Sequence, residues 1–180
     1  MDGFCEQVVK RKRKAKDNIL AVVYIVMALL IPAVCISLAY VITAYFIYIG
    51  FFLLLALVPL ALLLINYQNV EYEYSVVDNT LNVDKIIAKR RRKKIVRLRI
   101  DEIKEMVKFN EKYTGKKINK YYIAVDDVND DDVYAFTYYN EARGNLAVVM
   151  KPNNTILEGM RPKLNPSIQI QVVKLLRNVK

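Results

Sequence analysis

The most chemically distinctive part of this sequence is a dense run of positive charge. The stretch "DKIIAKRRRKKIVRLRI", Asp84 to Ile100, contains nine Lys and Arg among seventeen residues. Both of its flanks alternate polar and apolar side chains, which is typical of β-strands and places the charges at the tip of a hairpin. Such a tip suits an anionic surface, whether lipid headgroups or nucleic-acid phosphates. The candidate contacts there are Lys89, Arg90, Arg91, Arg92, Lys93 and Lys94.

A second basic cluster lies near the N-terminus, in "VVKRKRKAKDN". Its candidate contacts with an anionic surface are Lys10, Arg11, Lys12, Arg13 and Lys14. The cluster ends just before a long uncharged segment. Basic residues at that place also orient membrane segments, so the cluster has a topological interpretation as well.

The uncharged segment runs from Ile19 to Ile65 and contains no Asp, Glu, Lys, Arg or His. As one helix it would be about 70 Å long, against a hydrocarbon core of about 30 Å, so it predicts two transmembrane helices. We expect the helices at about residues 19–42 and 48–66. The turn is expected around Ala44 to Gly50, because Tyr40, Tyr45, Tyr48 and Gly50 lie near the middle of the segment and amphipathic rings favour the membrane interface.

The charge asymmetry predicts the orientation of this hairpin. Basic residues precede the first helix and none occurs between the two helices. The positive-inside rule therefore predicts a multi-pass protein of the cell membrane with both termini in the cytoplasm. The two cysteines, Cys5 and Cys35, provide no disulfide framework, which agrees with a reducing compartment.

The division that follows is a basic juxtamembrane segment (1–18), a transmembrane hairpin (19–66) and a cytoplasmic domain (67–180). The domain is predicted to contain about seven short antiparallel strands and a helix. The strands are predicted in "VEYEYSVV", "TLNVDKIIA", "KIVRLRI", "MVKF", "YYIAVD", "VYAFTYY" and "LAVVM", with a polar loop over 110–120 and a helix in "NNTILEGMRPKL". In the third strand, Val96, Leu98 and Ile100 should face a core while Arg97 and Arg99 face outward.

Four stretches resemble a known family: "EQVVKRKRKAKD", "QNVEYEYSV", "LNVDKIIAKRRRKKI" and "KPNNTILEGMRPKL". The chain, nearly all of it up to Leu164, is similar to uncharacterised bacterial membrane proteins with a two-helix hairpin and a pleckstrin-homology-like (PH-like) domain. The resemblance implies a mainly β PH-like domain with a C-terminal helix. It implies no catalytic residues. The family pattern has a Gly-containing turn where Asp78, Asn79 and Thr80 stand here.

Several kinds of activity are disfavoured by composition. The chain has no His, so a Ser-His or Cys-His nucleophile is excluded, and its five Gly residues are isolated rather than gathered in a phosphate loop. We expect no enzyme, cofactor or metal site. The acidic loop carrying Asp126, Asp127, Asp130, Asp131 and Asp132 lacks the Gly and Glu of a calcium loop and is predicted to be solvated.

These observations predict a membrane-anchored, non-enzymatic binding or scaffolding module at the cytoplasmic face. Its expected partners are anionic headgroups and a protein, or a second copy bound through the hairpin. The alternatives are anionic-lipid or nucleic-acid binding through the basic hairpin, and a subunit of a membrane complex or pore. Nucleic acid is disfavoured because no recognition helix or aromatic platform surrounds the basic run. A merely solvated hairpin tip also remains open.

Overall fold

The computed structural model describes residues 4–109 and 118–178. The chain divides into two compact units. One is the helical unit, residues 12–69. The other is the β unit, which joins residues 1–11 to residues 70–180.

The helical unit consists of two antiparallel helices, α1 (Ala15–Leu38) and α2 (Tyr45–Tyr67). Helix α1 begins where the Lys14 N–H donates to the Asp17 carboxylate at 3.0 Å, a bond that satisfies one free donor of the helix start. Both helices are long and apolar enough to cross a membrane. Most of their large apolar side chains are exposed, which suits contact with lipid rather than a water-soluble core.

The turn between the helices lies at residues 39–44, earlier than the sequence predicted. Gly50 is consequently not a turn residue but part of α2. A Cβ built on Gly50 would lie 2.5 Å from Ile36 Cγ1 and 3.0 Å from the Pro32 carbonyl oxygen. The glycine therefore allows the two helix backbones to approach closely.

The β unit contains two four-stranded sheets. The first has the order β1-β2-β3-β4 and is antiparallel throughout. Its strands are β1 (Cys5–Lys10), β2 (Val70–Val77), β3 (Thr80–Ile87) and β4 (Arg91–Arg99).

The second sheet has the order β5-β7-β8-β6, in which β6 runs parallel to β8. A 3₁₀ turn (Ile100–Glu102) leads into it. Its strands are β5 (Ile103–Lys108), β6 (Lys120–Ile123), β7 (Tyr134–Asn140) and β8 (Gly144–Met150). The polar loop expected over 110–120 lies mostly outside the described residues.

Helices close the chain. They are α3 (Asn154–Met160), a 3₁₀ turn (Arg161–Lys163) and α4 (Pro166–Asn178). The Asn153 side chain accepts the Ile156 N–H at 2.9 Å and so caps α3. Ile156, Ile168 and Val172 lie in the core beside inward residues of both sheets, such as Tyr74 and Phe136.

The prediction of a mainly β domain with a C-terminal helix is confirmed, with two differences in detail. The described chain has eight strands instead of about seven, and one neighbouring pair is parallel. The additional strand is β1, which falls within the segment that the sequence analysis assigned entirely to a juxtamembrane role.

Strand β1 is firmly integrated in the β unit. The Gln7 side chain donates to the Lys151 carbonyl at 3.0 Å and accepts the Asn153 N–H at 2.7 Å. Cys5 packs so closely that a Cβ on Gly159 would lie 3.0 Å from its sulfur. The two helices are thus inserted in the sequence between two paired strands.

Candidate anionic-surface site

The basic hairpin tip is a tight turn between β3 and β4. The Arg90 N–H donates to the Ile87 carbonyl at 3.1 Å across Ala88 and Lys89. These two residues have φ of 54° and 56°. Positive φ at both central residues matches the twist of a hairpin but is unfavourable for side chains other than Gly and Asn. The expected turn at Asp78 and Asn79 is also present, with Asp78 at φ 51°.

A β-bulge lies behind the tip. The register shifts between Val83, which pairs with Val96, and Asp84, which pairs with Lys94. The predicted alternation of the following residues is confirmed, since Val96, Leu98 and Ile100 are buried while Arg97 and Arg99 are exposed. The bulge separates a core-forming half of β4 from a basic, exposed half.

Arg92 differs from its basic neighbours because it pairs with a buried carboxylate. Its guanidinium lies against Glu73, with Nη1–Oε1 at 3.1 Å and Nη2–Oε2 at 3.0 Å. Glu73 is only 6% exposed. Burial raises the pKa of Glu73, Arg92 opposes that shift, and the nearby Glu6 and Asp84 add to it. Arg92 therefore serves as the counter-ion of the buried Glu73 within the sheet.

Four tip residues remain available to an external anion: Lys89, Arg90, Arg91 and Lys93. All four are exposed. Within the described chain, no carboxylate forms an ion pair with any of them. Lys94 is also exposed, but it stands opposite Asp84 in the register.

The register places the tip at a particular end of the first sheet. At that end Val70 pairs with Ile87, and Ile87 pairs with Arg91. The Arg11 N–H donates to the Val70 carbonyl at 3.0 Å at the same end. The basic tip therefore lies at the edge of the β unit where the chain leaves after Arg11 and returns at Val70.

The N-terminal basic candidates are divided between the two units of the chain. Lys10 closes β1 opposite Glu71, and Arg11 follows it, so these two belong to the tip end of the sheet. Lys12, Arg13 and Lys14 belong to the helical unit. There, Arg13 donates to Asn69 Oδ1 from Nε at 3.2 Å and from Nη2 at 3.0 Å.

The acidic loop is exposed as predicted at Asp127, Asp131 and Asp132, and some of its charge is also neutralised by lysines. Lys151 Nζ lies 2.9 Å from Asp130 Oδ2, and Lys108 Nζ lies 2.9 Å from Asp131 Oδ1. No group of three His, Cys, Asp or Glu side chains able to hold a metal ion occurs among residues 4–109 and 118–178.

Sequence reasoning missed both the partner of Arg92 and the role of residues 5–10. The "CEQVVK" stretch does alternate in burial as a strand should, with Gln7 and Val9 turned to the same side. The residue types do not follow this alternation, because the half-buried Gln7 is polar and the exposed Val8 is apolar, so the sequence alone carries no period-two signal for β1. Nothing in the sequence pattern links Glu73 to Arg92, because the pair depends on the register of three strands.

Comparison with known proteins agrees with this architecture. No curated protein and no solved structure matches the chain. A family model described as a bacterial PH-like domain (DUF6106) matches residues 1–169, which include β1, both apolar helices and the two sheets. The chain therefore belongs to this bacterial PH-like domain family.

Proposed function

We propose that this protein is a membrane-anchored, non-enzymatic binding module whose basic tip contacts anionic headgroups at the cytoplasmic face. The observation that carries the proposal is the register of the first sheet. It brings Lys89, Arg90, Arg91 and Lys93 to the edge from which the chain continues into the apolar helices. Each basic residue near an anionic leaflet contributes about 1 kcal/mol at most, so four provide a useful attraction.

Strand pairing supports an even number of membrane crossings. Residues 5–10 pair with residues 71–76, so both stretches must lie on the same side of any membrane. The segment between them, which contains α1 and α2, can then cross twice but not once. The basic residues before α1 favour the cytoplasm for that side.

The hairpin itself suits an anchor better than a conduit. Between Ile19 and Ile65 there is no Asp, Glu, Lys, Arg or His to carry an ion or proton. The Ser37 hydroxyl, one of the few polar groups there, donates to the Val34 carbonyl of its own helix at 2.8 Å.

Contact with headgroups is tested on the full chain in lipid nanodiscs. A fluorophore is attached through Ala88→Cys, in a chain with Cys5→Ser and Cys35→Ser, and lipids with a nitroxide headgroup serve as quenchers. We expect quenching to increase with the fraction of anionic lipid and to fall as salt rises from about 0.05 to 0.5 M, because screening shortens the range of the attraction.

The matched variant carries Arg90→Ser, Arg91→Ser and Lys93→Ser but keeps Arg92 and its partner Glu73. In this variant, quenching should no longer depend on the fraction of anionic lipid or on the salt concentration. If quenching in the parent chain does not change with the fraction of anionic lipid, the tip is solvated and does not contact headgroups. If added RNA releases the tip at a concentration below that of the lipid, nucleic acid is the preferred partner.

The orientation is tested by reporter fusions. A fusion at the C-terminus should be cytoplasmic, and a reporter inserted at Val41 in the turn should be external. A C-terminus outside the cell would contradict the proposed topology.

A further inference from the structure

The turn between α1 and α2 has an unusual surface for a loop in water. Residues 39–44 read "AYVITA" and include no charged residue, Gly, Asn or Asp. Turns in water are usually built from Gly, Asn, Asp, Ser and Pro. Here Tyr40 is 91% exposed, Val41 is 82% exposed, and the adjoining Tyr45 is 75% exposed.

The backbone of this turn is largely satisfied by itself. The N–H groups of Ala39, Tyr40, Val41 and Ile42 donate to carbonyls of residues 36–38 at 2.9–3.2 Å. Phe46 and Ile47 donate to the carbonyls of Thr43 and Ala44 at 3.2 and 3.1 Å. Such internal bonding reduces the cost of taking a turn out of bulk water.

The backbone hydrogen bonding of the turn is incomplete, which makes the hydrocarbon core an unfavourable place for it. The internal bonds of the described turn do not include the N–H groups of Thr43, Ala44 and Tyr45. Unpaired amides are costly in hydrocarbon, but the headgroup region supplies partners. Tyr rings also favour that region, where the ring meets acyl chains and the hydroxyl meets water.

The length of α1 agrees with this depth. Ile19 to Leu38 gives twenty uncharged helical residues, or about 30 Å, which equals the thickness of the hydrocarbon core. If the charged start of α1 lies at one boundary of the hydrocarbon core, the turn begins at the opposite boundary. It continues the lipid-facing surface of the two helices.

We infer that the turn at residues 39–44 is lodged in the headgroup interface of the opposite leaflet, with Tyr40, Val41 and Tyr45 inserted among lipids. The inference rests on the proposed membrane anchoring. It assigns a lipid-binding surface at the far end of the hairpin, separate from the basic tip. The protein would then have no external loop accessible to a water-soluble partner between its spans.

The first test measures alkylation of the full chain in intact cells. Val41→Cys is compared with a chain carrying "GSGCGSG" inserted between Val41 and Ile42, both with Cys5→Ser and Cys35→Ser. A membrane-impermeant maleimide should react at least ten-fold more slowly with the cysteine at position 41 than with the inserted one. Equal rates would overturn the inference, because the turn would then be in water.

The second test measures depth in proteoliposomes. A fluorophore at Val41→Cys should be quenched more strongly by a nitroxide near the headgroup than by one deep on the acyl chain. Stronger quenching by the deep nitroxide would place the turn in the hydrocarbon core and would also overturn the inference.

The two proposals fail in different ways. Loss of the chain from alkali-washed membranes would contradict the anchoring itself. An inserted cysteine that does not react in intact cells would contradict the orientation, while the depth measurement would still decide where the turn lies.

Discussion

The Arg92 guanidinium and the Glu73 carboxylate form an ion pair across the intervening strand β3, in which Nη1 donates to Oε1 at 3.1 Å and Nη2 lies 3.0 Å from Oε2. The Glu73 side chain is 8% exposed and that of Arg92 is 64% exposed. Within the basic run, Arg92 therefore has a structural role as the partner of Glu73, whereas Lys89, Arg90, Arg91 and Lys93 are available to an external anion.

Removing Arg92 should therefore destabilise the protein, whereas removing Arg90 should not. Arg92→Ser leaves Glu73 buried without its cation and should cost about 1–3 kcal/mol. Arg90→Ser, at an exposed site with no ion pair in the described chain, should change stability by less than about 0.5 kcal/mol. Denaturant unfolding of the full chain in micelles measures both, and adding Glu73→Gln to Arg92→Ser should recover most of the loss. Equal effects of the two single substitutions would contradict this assignment.

The stability contribution of Glu73 should depend on pH in a predictable direction. Burial, the largest cause, raises its pKa in the folded state despite Arg92. The folded protein then holds this proton more tightly than the unfolded chain, so the contribution is present at low pH and is lost as the pH rises through the raised pKa. The free energy of unfolding of the native protein, relative to Glu73→Gln, should fall as the pH rises above the ordinary pKa range of a glutamate, about 4.3. Glu141→Gln, at an exposed position, serves as the control. A relative stability that rises over this range would mean that the ion pair outweighs burial.

The turn at the basic tip should be improved by glycine. Ala88 has a φ of 54°, a conformation that costs a non-glycine residue about 1 kcal/mol. Ala88→Gly should raise the melting temperature by a few degrees, about 4 °C for a domain of this size, without altering the charge of the tip. Ala142 lies in the β7–β8 turn and is not among the residues with positive φ. Ala142→Gly should therefore leave the melting temperature unchanged or lower it, and equal gains at the two sites would show that φ is not the cause.

The contact at Gly50 should limit the size of the side chain there. Gly50→Val would place atoms against the Pro32 carbonyl and the Ile36 backbone, which cannot move aside as a side chain can. We expect the helices to separate, with a lower melting temperature of the helical signal in micelles measured by circular dichroism. Ala56→Val, on an exposed part of the same helix, is the matched control and should have little effect. A hairpin that tolerates both substitutions equally would not be held by this contact.

Strand β1 should be required for the β unit to fold. Residues 70–178 alone lack β1, with its contacts through Cys5 and the two hydrogen bonds of Gln7. We expect this fragment to melt without cooperativity or to aggregate through the free edge of β2. A chain in which Asn-Gly replaces residues 12–69 should restore the strand pair, because this dipeptide favours a two-residue hairpin turn. Its circular dichroism melt should be cooperative, and Gln7→Ala in that chain should lower the midpoint. A cooperative melt of residues 70–178 alone would contradict this requirement.

Sequence patterns alone predicted the parts of the protein that depend on local properties. The uncharged stretch from Ile19 to Ile65 indicated two apolar helices, because hydropathy and length suffice for that inference. Alternation in β2, β3 and β4 indicated the strands, and in β4 it separated Val96 and Leu98 from Arg97 and Arg99. The concentration of charge at Lys89–Lys94 was equally visible, since it needs no knowledge of neighbours.

The tertiary structure decided what depends on residues far apart in the sequence. Pairing of Lys10 with Glu71 means that the segment containing both helices is inserted in the sequence between two neighbouring strands. No local pattern specifies such a partner. The Glu73–Arg92 pair requires the registers of β2 with β3 and of β3 with β4, including the bulge at Val83. Gly50 read as a turn residue because glycine suits turns and close helix contacts alike, and only the packing against Pro32 and Ile36 distinguishes the two. Local propensity can choose the type of an element, but register and packing, which join distant residues, choose its partners.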